Sequence, residues 1–189
     1  IFGTVKKIEI PQNCEVIWVA DLFAEDYSQG GAELTSENLI KTSPLDIFKL
    51  HSKDVSMELL EQGVEKFWIF GNYCGISMGL IPTIIANIKY SILEFDYKMC
   101  RYRNLDLHAL NEKKVCDCAE STHGKLISAF MYGSLGLFFM AEKQLEIYCE
   151  HFPFLIEKPC TVLSSVFNDQ DFLKIKILRQ KYKNYKKTN

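Results

Sequence analysis

An apolar run over residues 16–23 is followed, after a short polar loop, by a glycine pair at Gly30 and Gly31. The run is rich in β-branched and aromatic side chains, as is typical of a strand buried on both faces of a parallel sheet. Paired glycines at a strand-to-helix turn let the backbone approach a ligand closely, and free N–H groups at the start of a helix favour phosphate. Gly30, Gly31 and Glu33 are therefore candidate residues for binding a phosphorylated ligand, and a plain tight turn is the alternative.

The rest of the chain alternates strand-like apolar runs with helix-like segments. We predict further strands over residues 46–51, 66–72, 90–95, 135–140 and 160–166, and helices over residues 31–42, 56–62, 78–87, 122–132, 141–151 and 170–185. Strands that alternate with helices imply right-handed crossovers. The sequence therefore predicts an α/β fold: a Rossmann-like, mostly parallel sheet with helices on both faces, in one domain over residues 1–173.

Composition and charge exclude several classes of protein. The 189 residues are 48% hydrophobic and 24% charged, which is ordinary for a globular protein. No apolar stretch reaches the roughly 20 residues that a membrane-spanning helix needs, and no signal peptide is visible, so we expect a cytoplasmic protein. Seven basic and no acidic side chains lie in residues 174–189, which leaves 15 basic against 24 acidic ones in residues 1–173. The excess of basic residues therefore lies in one terminal segment and not across a folded face, and we expect no nucleic acid as a partner.

The order of three segments resembles the N-terminal half of GT-B-fold glycosyltransferases of the GT4-like type. The first is the run Gly-Gly-Ala-Glu at residues 30–33, the second is Phe-Phe-Met-Ala-Glu-Lys-Gln at residues 138–144, and the third is Val-Leu-Ser-Ser-Val-Phe at residues 162–167. The resemblance covers most of residues 14–173. It implies the acceptor-side half of an enzyme that moves a sugar from a nucleotide-sugar donor to a hydroxyl of a glycan or lipid-linked acceptor.

The resemblance also implies roles for particular residues. The family's glycine loop reaches toward the donor diphosphate, and this role falls on Gly30 and Gly31. The family's C-terminal donor-binding domain has no counterpart in these 189 residues, so we expect little activity from the chain alone. A histidine that the family often carries after its fourth strand is replaced by a segment that contains Asp96 and Lys98. These two charged side chains are the catalytic candidates, because ligands of open α/β sheets bind at the carboxyl ends of strands; solvated loop charges are the alternative.

A polar insertion over residues 96–121 interrupts the alternation of strands and helices. Cys100, Cys116, Cys118 and His123, with His108 nearby, form a candidate metal site, because three thiolates and one imidazole suit tetrahedral zinc. A metal would also explain how a long segment with little apolar content stays ordered. A disulfide from Cys100 to Cys116 or Cys118, and unpaired thiols, are the alternatives.

The basic segment over residues 174–189 predicts a C-terminal helix or linker. Ile175, Leu178 and Tyr182 share one helical face with lysines around it. A docked, solvated helix is one interpretation, and attraction to an anionic membrane surface is the other. The second candidate function for the whole chain is a non-enzymatic α/β binding module with a zinc-clipped insertion.

Overall fold

The computed structural model describes residues 7–26 and 30–183, and in that part of the chain it is an α/β fold. One all-parallel sheet contains β1 Val16–Ala20, β2 Ile47–His51, β3 Phe67–Phe70, β4 Lys89–Glu94, β5 Leu137–Phe139 and β6 Cys160–Val162. Its helices are α1 Gly31–Thr42, α2 Met57–Gln62, α3 Ile81–Asn87, α4 Leu105–Glu112, α5 Thr122–Gly133, α6 Glu142–His151 and α7 Asp169–Lys181. The predicted Rossmann-like parallel sheet is confirmed.

The sheet separates two apolar layers, because alternate side chains of a strand point to opposite faces. Ile17 and Val19 of β1 belong to the main core, which includes buried side chains of α2, α3, α5 and α6. Trp18 and Ala20 belong to a smaller cluster on the other face, which α1 covers with Leu39 and Ile40. Both faces of β1 are thus buried, as the unbroken apolar run predicts.

The strand order is β2-β1-β3-β4-β5-β6, so the chain changes direction across the sheet after β2. Ile17 of β1 pairs with Phe48 of β2 on one side and with Trp68 of β3 on the other. The chain that leaves β1 forms β2 on one side of β1, whereas β3 and the strands that follow it lie on the other side. The loops after β1 and β3 therefore diverge, and a crevice opens between them.

Several elements differ from the predicted ones. The strands β1 and β6 end earlier than predicted, β1 before Asp21 and β6 before Ser164, whose left-handed backbone (φ 64°) turns the chain out of the strand. The polar insertion contains a helix, α4, that the alternation of apolar runs did not predict. Asn104 caps it, because the side-chain oxygen of Asn104 accepts the N–H of Leu107 at 2.8 Å.

The C-terminal helix α7 contacts the rest of the fold mainly through its first turn. Asn38 of α1 donates to the carbonyl of Val166 at 3.2 Å and accepts the side-chain N–H of Asn168 at 3.0 Å. Farther along α7, apolar side chains are exposed: Phe172, Leu173, Ile175, Ile177 and Leu178. The predicted end of this helix, at residue 185, lies outside the described residues. Within them, none of the helices has the length and apolarity required to cross a bilayer.

We expect Asn38→Ala to loosen the attachment of α7. The substitution removes both hydrogen bonds above, and each bond contributes about 1 kcal/mol net. Native-state hydrogen exchange of the amides in residues 166–173 should accelerate by at least about tenfold, since 1.4 kcal/mol is a factor of ten. The control is Asn87→Ala, which removes an exposed side chain bonded only within its own helix. Equal exchange in the two variants would show that Asn38 does not hold α7.

Candidate functional site

A cavity of about 320 Å³ lies at the carboxyl edge of the sheet, on the side of the crevice toward β4. It is lined by Tyr73, Cys74, Met78, Lys98, Cys100, Arg101, Arg103, His123 and Ile127. These residues come from the loops after β3 and β4 and from α5. The lining includes three cationic side chains but not one carboxylate.

Arg103 occupies the centre of the polar network beside this cavity. Its Nε donates to Asp96 Oδ2 at 2.7 Å, and its Nη2 donates to the same oxygen and to Asn72 Oδ1, the latter at 3.0 Å. The remaining nitrogen, Nη1, lies 3.8 Å from Asp21 Oδ2. One guanidinium thus connects the carboxyl ends of β1, β3 and β4.

Asp21 joins the ends of β1 and β2 to the loop after β3. Its Oδ1 accepts the hydroxyl of Ser52 at 2.5 Å and the backbone N–H of Gly75 at 3.1 Å. The sequence did not single out Arg103 or Ser52, and Asp21 lies within the apolar run that predicts the first strand. Asp21 and Asp96 are the residues through which the strand ends fix the position of Arg103.

Lys98, a catalytic candidate from the sequence, is only 2% exposed, and Glu94 is fully buried. The Nζ of Lys98 lies 3.4 Å from Glu94 Oε1 and 3.2 Å from Asp96 Oδ1. The hydroxyl of Tyr73 donates to Glu94 Oε2 at 3.1 Å. Burial raises the pKa of Glu94 above its usual value, although Lys98 opposes this shift. Asp96 and Lys98 therefore lie side by side after β4, but only Lys98 lines the cavity, and its ammonium already has two carboxylate partners.

The backbone that carries Asp96 is fixed from α6. Gln144 donates to the carbonyl oxygen of Asp96 at 3.0 Å, and the hydroxyl of Tyr148 donates to the same oxygen at 3.3 Å. Gln144 also accepts the N–H of Met140 at 2.8 Å, which ties the end of β5 to α6. Gln144, the glutamine of segment 138–144, thus holds the backbone at Asp96 in place from α6.

Cys74 is the one thiol of the cavity that belongs to no cysteine cluster in the described residues. Desolvation raises the pKa of the Cys74 thiol to about 11. A thiol with this pKa is protonated at neutral pH and is a poor nucleophile.

Next to the crevice, four buried side chains bring their ligand-type atoms within 4.8 Å of one another: Cys100, His108, Cys116 and Cys118. The Nδ1 of His108 lies 3.6 Å from the Sγ of Cys100 and 3.5 Å from the Sγ of Cys118. Burial raises the pKa of the Cys116 thiol to about 12, and the two neighbouring cysteines add to the shift. The group could hold a metal ion, because a cation would offset the cost of burying these thiols as thiolates.

His108 replaces His123, which we predicted as the fourth member of this group. His123 lies in the first turn of α5, where its Nε2 is 2.7 Å from the carbonyl oxygen of Lys98, and it lines the crevice cavity. The reason is α4, which turns His108 toward the cysteines. The signal that could have found it is the sequence Asn-Leu-Asp-Leu-His-Ala-Leu at residues 104–110, in which a capping residue precedes regularly spaced apolar residues.

The glycine pair begins α1, as predicted, but one of its amides already has a partner. The N–H of Gly30 donates to Glu33 Oε2 at 2.6 Å, so the carboxylate of Glu33 occupies the place of an anion at the start of the helix. A methyl group on Gly31 would meet no atom within 4 Å. Ser28 and Gln29, which precede the pair, lie outside the described residues. Gly30, Gly31 and Glu33 are not part of the lining of the crevice cavity.

Comparisons with protein-family models, with curated proteins and with solved structures found no match to this chain. The fold and the two clusters of side chains described above are therefore the basis for assigning a function to the chain.

We expect Glu94→Gln to change how stability depends on pH. The folded protein binds a proton at Glu94 more tightly than the unfolded chain does, because the pKa of Glu94 is raised from its usual 4.5. This contribution to stability is present below the unfolded-state pKa and is lost as the pH rises through the folded-state pKa. The variant lacks the loss, so its free energy of unfolding relative to the wild type should increase from pH 4.5 toward about pH 7.

Urea unfolding across this pH range measures the difference. The exposed Glu65 provides the control, since Glu65→Gln removes a carboxylate that the fold does not bury. A difference between Glu94→Gln and the wild type that stays constant with pH would show that burial does not perturb Glu94.

Proposed function

We propose that the chain is the acceptor-side half of a two-domain glycosyltransferase, which moves a sugar from a nucleotide-sugar donor to a hydroxyl of a glycan or lipid-linked acceptor. The observation that supports this most is the polar cavity at the carboxyl ends of β3 and β4, beside the point between β1 and β3 where the direction of chain connection reverses. Open α/β sheets bind their small ligands at such a point. The resemblance of three sequence segments to this class of enzyme supports the same proposal.

In this proposal the crevice positions the acceptor hydroxyl close to the anomeric carbon of the donor. Positioning alone can supply a large part of a rate enhancement, provided that the groups are rigidly held. Arg103 fixes Asp96, and Lys98 neutralises Asp96 from the buried side. Lys98, which lines the cavity, would orient the acceptor, with Asp96 as its electrostatic counterpart. Both side chains act here as a preorganised pair.

The donor would be held by a donor-binding domain and would meet Gly30 and Gly31. The N–H groups at the start of α1 suit the diphosphate of a nucleotide sugar. The carboxylate of Glu33 must then leave the N–H of Gly30, since it occupies that donor at 2.6 Å. Glu33 would thus hold the helix start in order until a donor displaces it.

We further propose that Cys100, His108, Cys116 and Cys118 hold a structural zinc ion. With Zn–S and Zn–N bonds of about 2.3 and 2.0–2.1 Å, a tetrahedral site separates sulfur from nitrogen by about 3.5 Å. The two distances from Nδ1 of His108 are 3.6 and 3.5 Å. The other ring nitrogen of His108 is buried without a hydrogen bond in the described part of the chain, and it lies 3.9 Å from Asp117 Oδ1. Metal-bound histidines usually direct their second nitrogen to a carboxylate, which Asp117 would provide.

The second candidate function is a non-enzymatic α/β binding module. One observation favours it: the insertion that carries the metal-type cluster also exposes apolar side chains, and Val115 is 86% exposed. Leu107 and Leu110 of α4 are exposed beside it. Such a surface suits a protein partner.

The transferase proposal predicts that the chain joined to a donor-binding domain transfers labelled sugar to an acceptor. Asp96→Asn should lower kcat about 100-fold, as misplacement of a positioned group does. The matched control is Glu65→Gln, which removes a carboxylate just before β3, at the opposite edge of the sheet. The isolated chain should bind UDP- or GDP-sugars only weakly. A micromolar dissociation constant for the isolated chain, or equal kcat values for the two variants, would contradict the proposed division of labour.

If the cysteine cluster binds zinc, replacement of His108 and replacement of His123 should affect metal retention differently. Protein purified with zinc should contain about one equivalent, as a four-ligand site requires. His108→Ala should abolish retention of the metal and lower the Tm, because binding to a structural site is coupled to folding. His123→Ala should retain the metal. Metal analysis with thermal unfolding measures both effects, and loss of zinc from the His123 variant alone would refute the assignment of His108.

A further inference from the structure

We propose that the crevice cavity contains an oxyanion subsite formed by Arg101, Arg103 and His123, and that the ligand bound there carries a phosphate or diphosphate group. The inference rests on the proposed function in one respect, since it takes the crevice as the substrate site. It adds the chemical class of the ligand. The hydrogen-bonding groups of the crevice divide into those that are already bonded within the protein and those that are available to a ligand.

The carboxylates around the crevice are already used by the protein. Asp96 accepts Lys98 on one oxygen and Arg103 on the other. Asp21 accepts Ser52 and the N–H of Gly75 on Oδ1, and its Oδ2 lies 3.8 Å from Nη1 of Arg103. Glu94 is fully buried, and none of these three acids lines the cavity. A ligand therefore finds few acceptors here, which disfavours a cationic ligand.

The open groups are donors. The Nη1 of Arg103 makes no hydrogen bond within the described residues, its nearest carboxylate oxygen being 3.8 Å away, and the side chain is 39% exposed. Arg101 binds Glu112 at 2.6 Å through Nη2 and is 58% exposed. His123 donates its Nε2–H to the carbonyl of Lys98, so its Nδ1 donates to an anion only in the doubly protonated imidazolium form. Guanidinium groups match the oxygens of a phosphate, and a group that only accepts hydrogen bonds satisfies this set.

The position of Arg103 is set by its backbone. The N–H of Arg103 donates to the carbonyl of Cys100 at 2.8 Å, and the carbonyl of Arg103 accepts the N–H of Tyr97 at 3.3 Å. Arg103 adopts a left-handed conformation (φ 55°), which a non-glycine residue keeps only where its surroundings hold it. Cys100 belongs to the metal-type cluster. The guanidinium is therefore preorganised, and a preorganised donor binds an anion at a lower entropic cost.

The cavity is larger than a phosphate ion needs, and part of its wall is apolar. Met78 and Ile127 line it together with the charged side chains. Its volume of about 320 Å³ is near the lower limit for small-molecule pockets. The phosphate group therefore belongs to a larger molecule, which is either the nucleotide diphosphate of the donor or a phosphorylated acceptor.

Calorimetric titration of the zinc-loaded chain with sodium pyrophosphate at low ionic strength tests the subsite. Binding should be saturable, and both Arg101→Gln and Arg103→Lys should weaken it about tenfold. The first variant removes a cation of the subsite, and the second removes the Nη1 donor that the contacts with Asp96 and Asn72 hold in place. Lys89→Gln removes an exposed cation at the start of β4, at the opposite edge of the sheet, and should leave the affinity within about twofold. Arg101 is exposed, so Arg101→Gln remains informative if Arg103→Lys unfolds.

Two further titrations distinguish the sources of the phosphate. Tighter binding of UDP than of pyrophosphate would assign the subsite to the donor, and tighter binding of glucose 6-phosphate would assign it to the acceptor. Absence of saturable pyrophosphate binding, or equal weakening in all three variants, would overturn the subsite. Pyrophosphate binding without sugar transfer by the joined protein would leave the subsite standing and refute the transferase. Sugar transfer by the joined protein, with pyrophosphate binding unaltered in Arg101→Gln and Arg103→Lys, would support the transferase and overturn the subsite.

Discussion

Parallel pairing of β1 with strands on both of its sides is the constraint on which the rest of the structure depends. Ile17 pairs with Phe48 on one side and Trp68 on the other, so β1 must be apolar on both faces and cannot lie at an edge. Its two neighbours are reached by connections that leave in opposite directions. The crevice is the geometric result of this divergence, and its polar residues are those that directly follow the strands.

Those polar residues satisfy one another before any ligand arrives. Asp21 and Asp96 are separate acids at different strand ends, and Arg103 faces both. Lys98 and Glu94 form a buried pair beneath them. Removal of one partner of a buried pair leaves an uncompensated charge, which costs about 3–5 kcal/mol. The carboxyl edge of the sheet is therefore a rigid polar surface, and rigidity is what a binding site for a small polar molecule requires.

The sequence was sufficient for the regular part of the fold. All six strands lie within predicted apolar runs or overlap them, and α1 spans the predicted residues 31–42. The helix α4 was missed because it lies in a polar segment, where apolar periodicity is weak and only the cap Asn104 marks its start. The consequence was the choice of His123 over His108 for the cysteine cluster.

The candidate site was predictable only in part, for a related reason. Asp96 and Lys98 follow a buried strand, so their location at the carboxyl edge could be inferred. The role of Arg103 depends on a left-handed residue in an irregular loop, which no spacing encodes. The contact of Glu33 with the N–H of Gly30 follows a known capping pattern, yet the sequence cannot say whether a carboxylate or a phosphate occupies that position.

Within the described residues, α7 is anchored mainly through its first turn, and this has a mechanical consequence. The helix Asp169–Lys181 extends for about 20 Å at 1.5 Å per residue, and its first turn is its main anchor. A domain joined beyond this helix would be carried on a stiff lever arm that pivots near Asn168. Small rotations at the pivot would then become large displacements at the far end, so the distance between the two bodies would be set by α7 and their mutual angle by the contacts of Asn38.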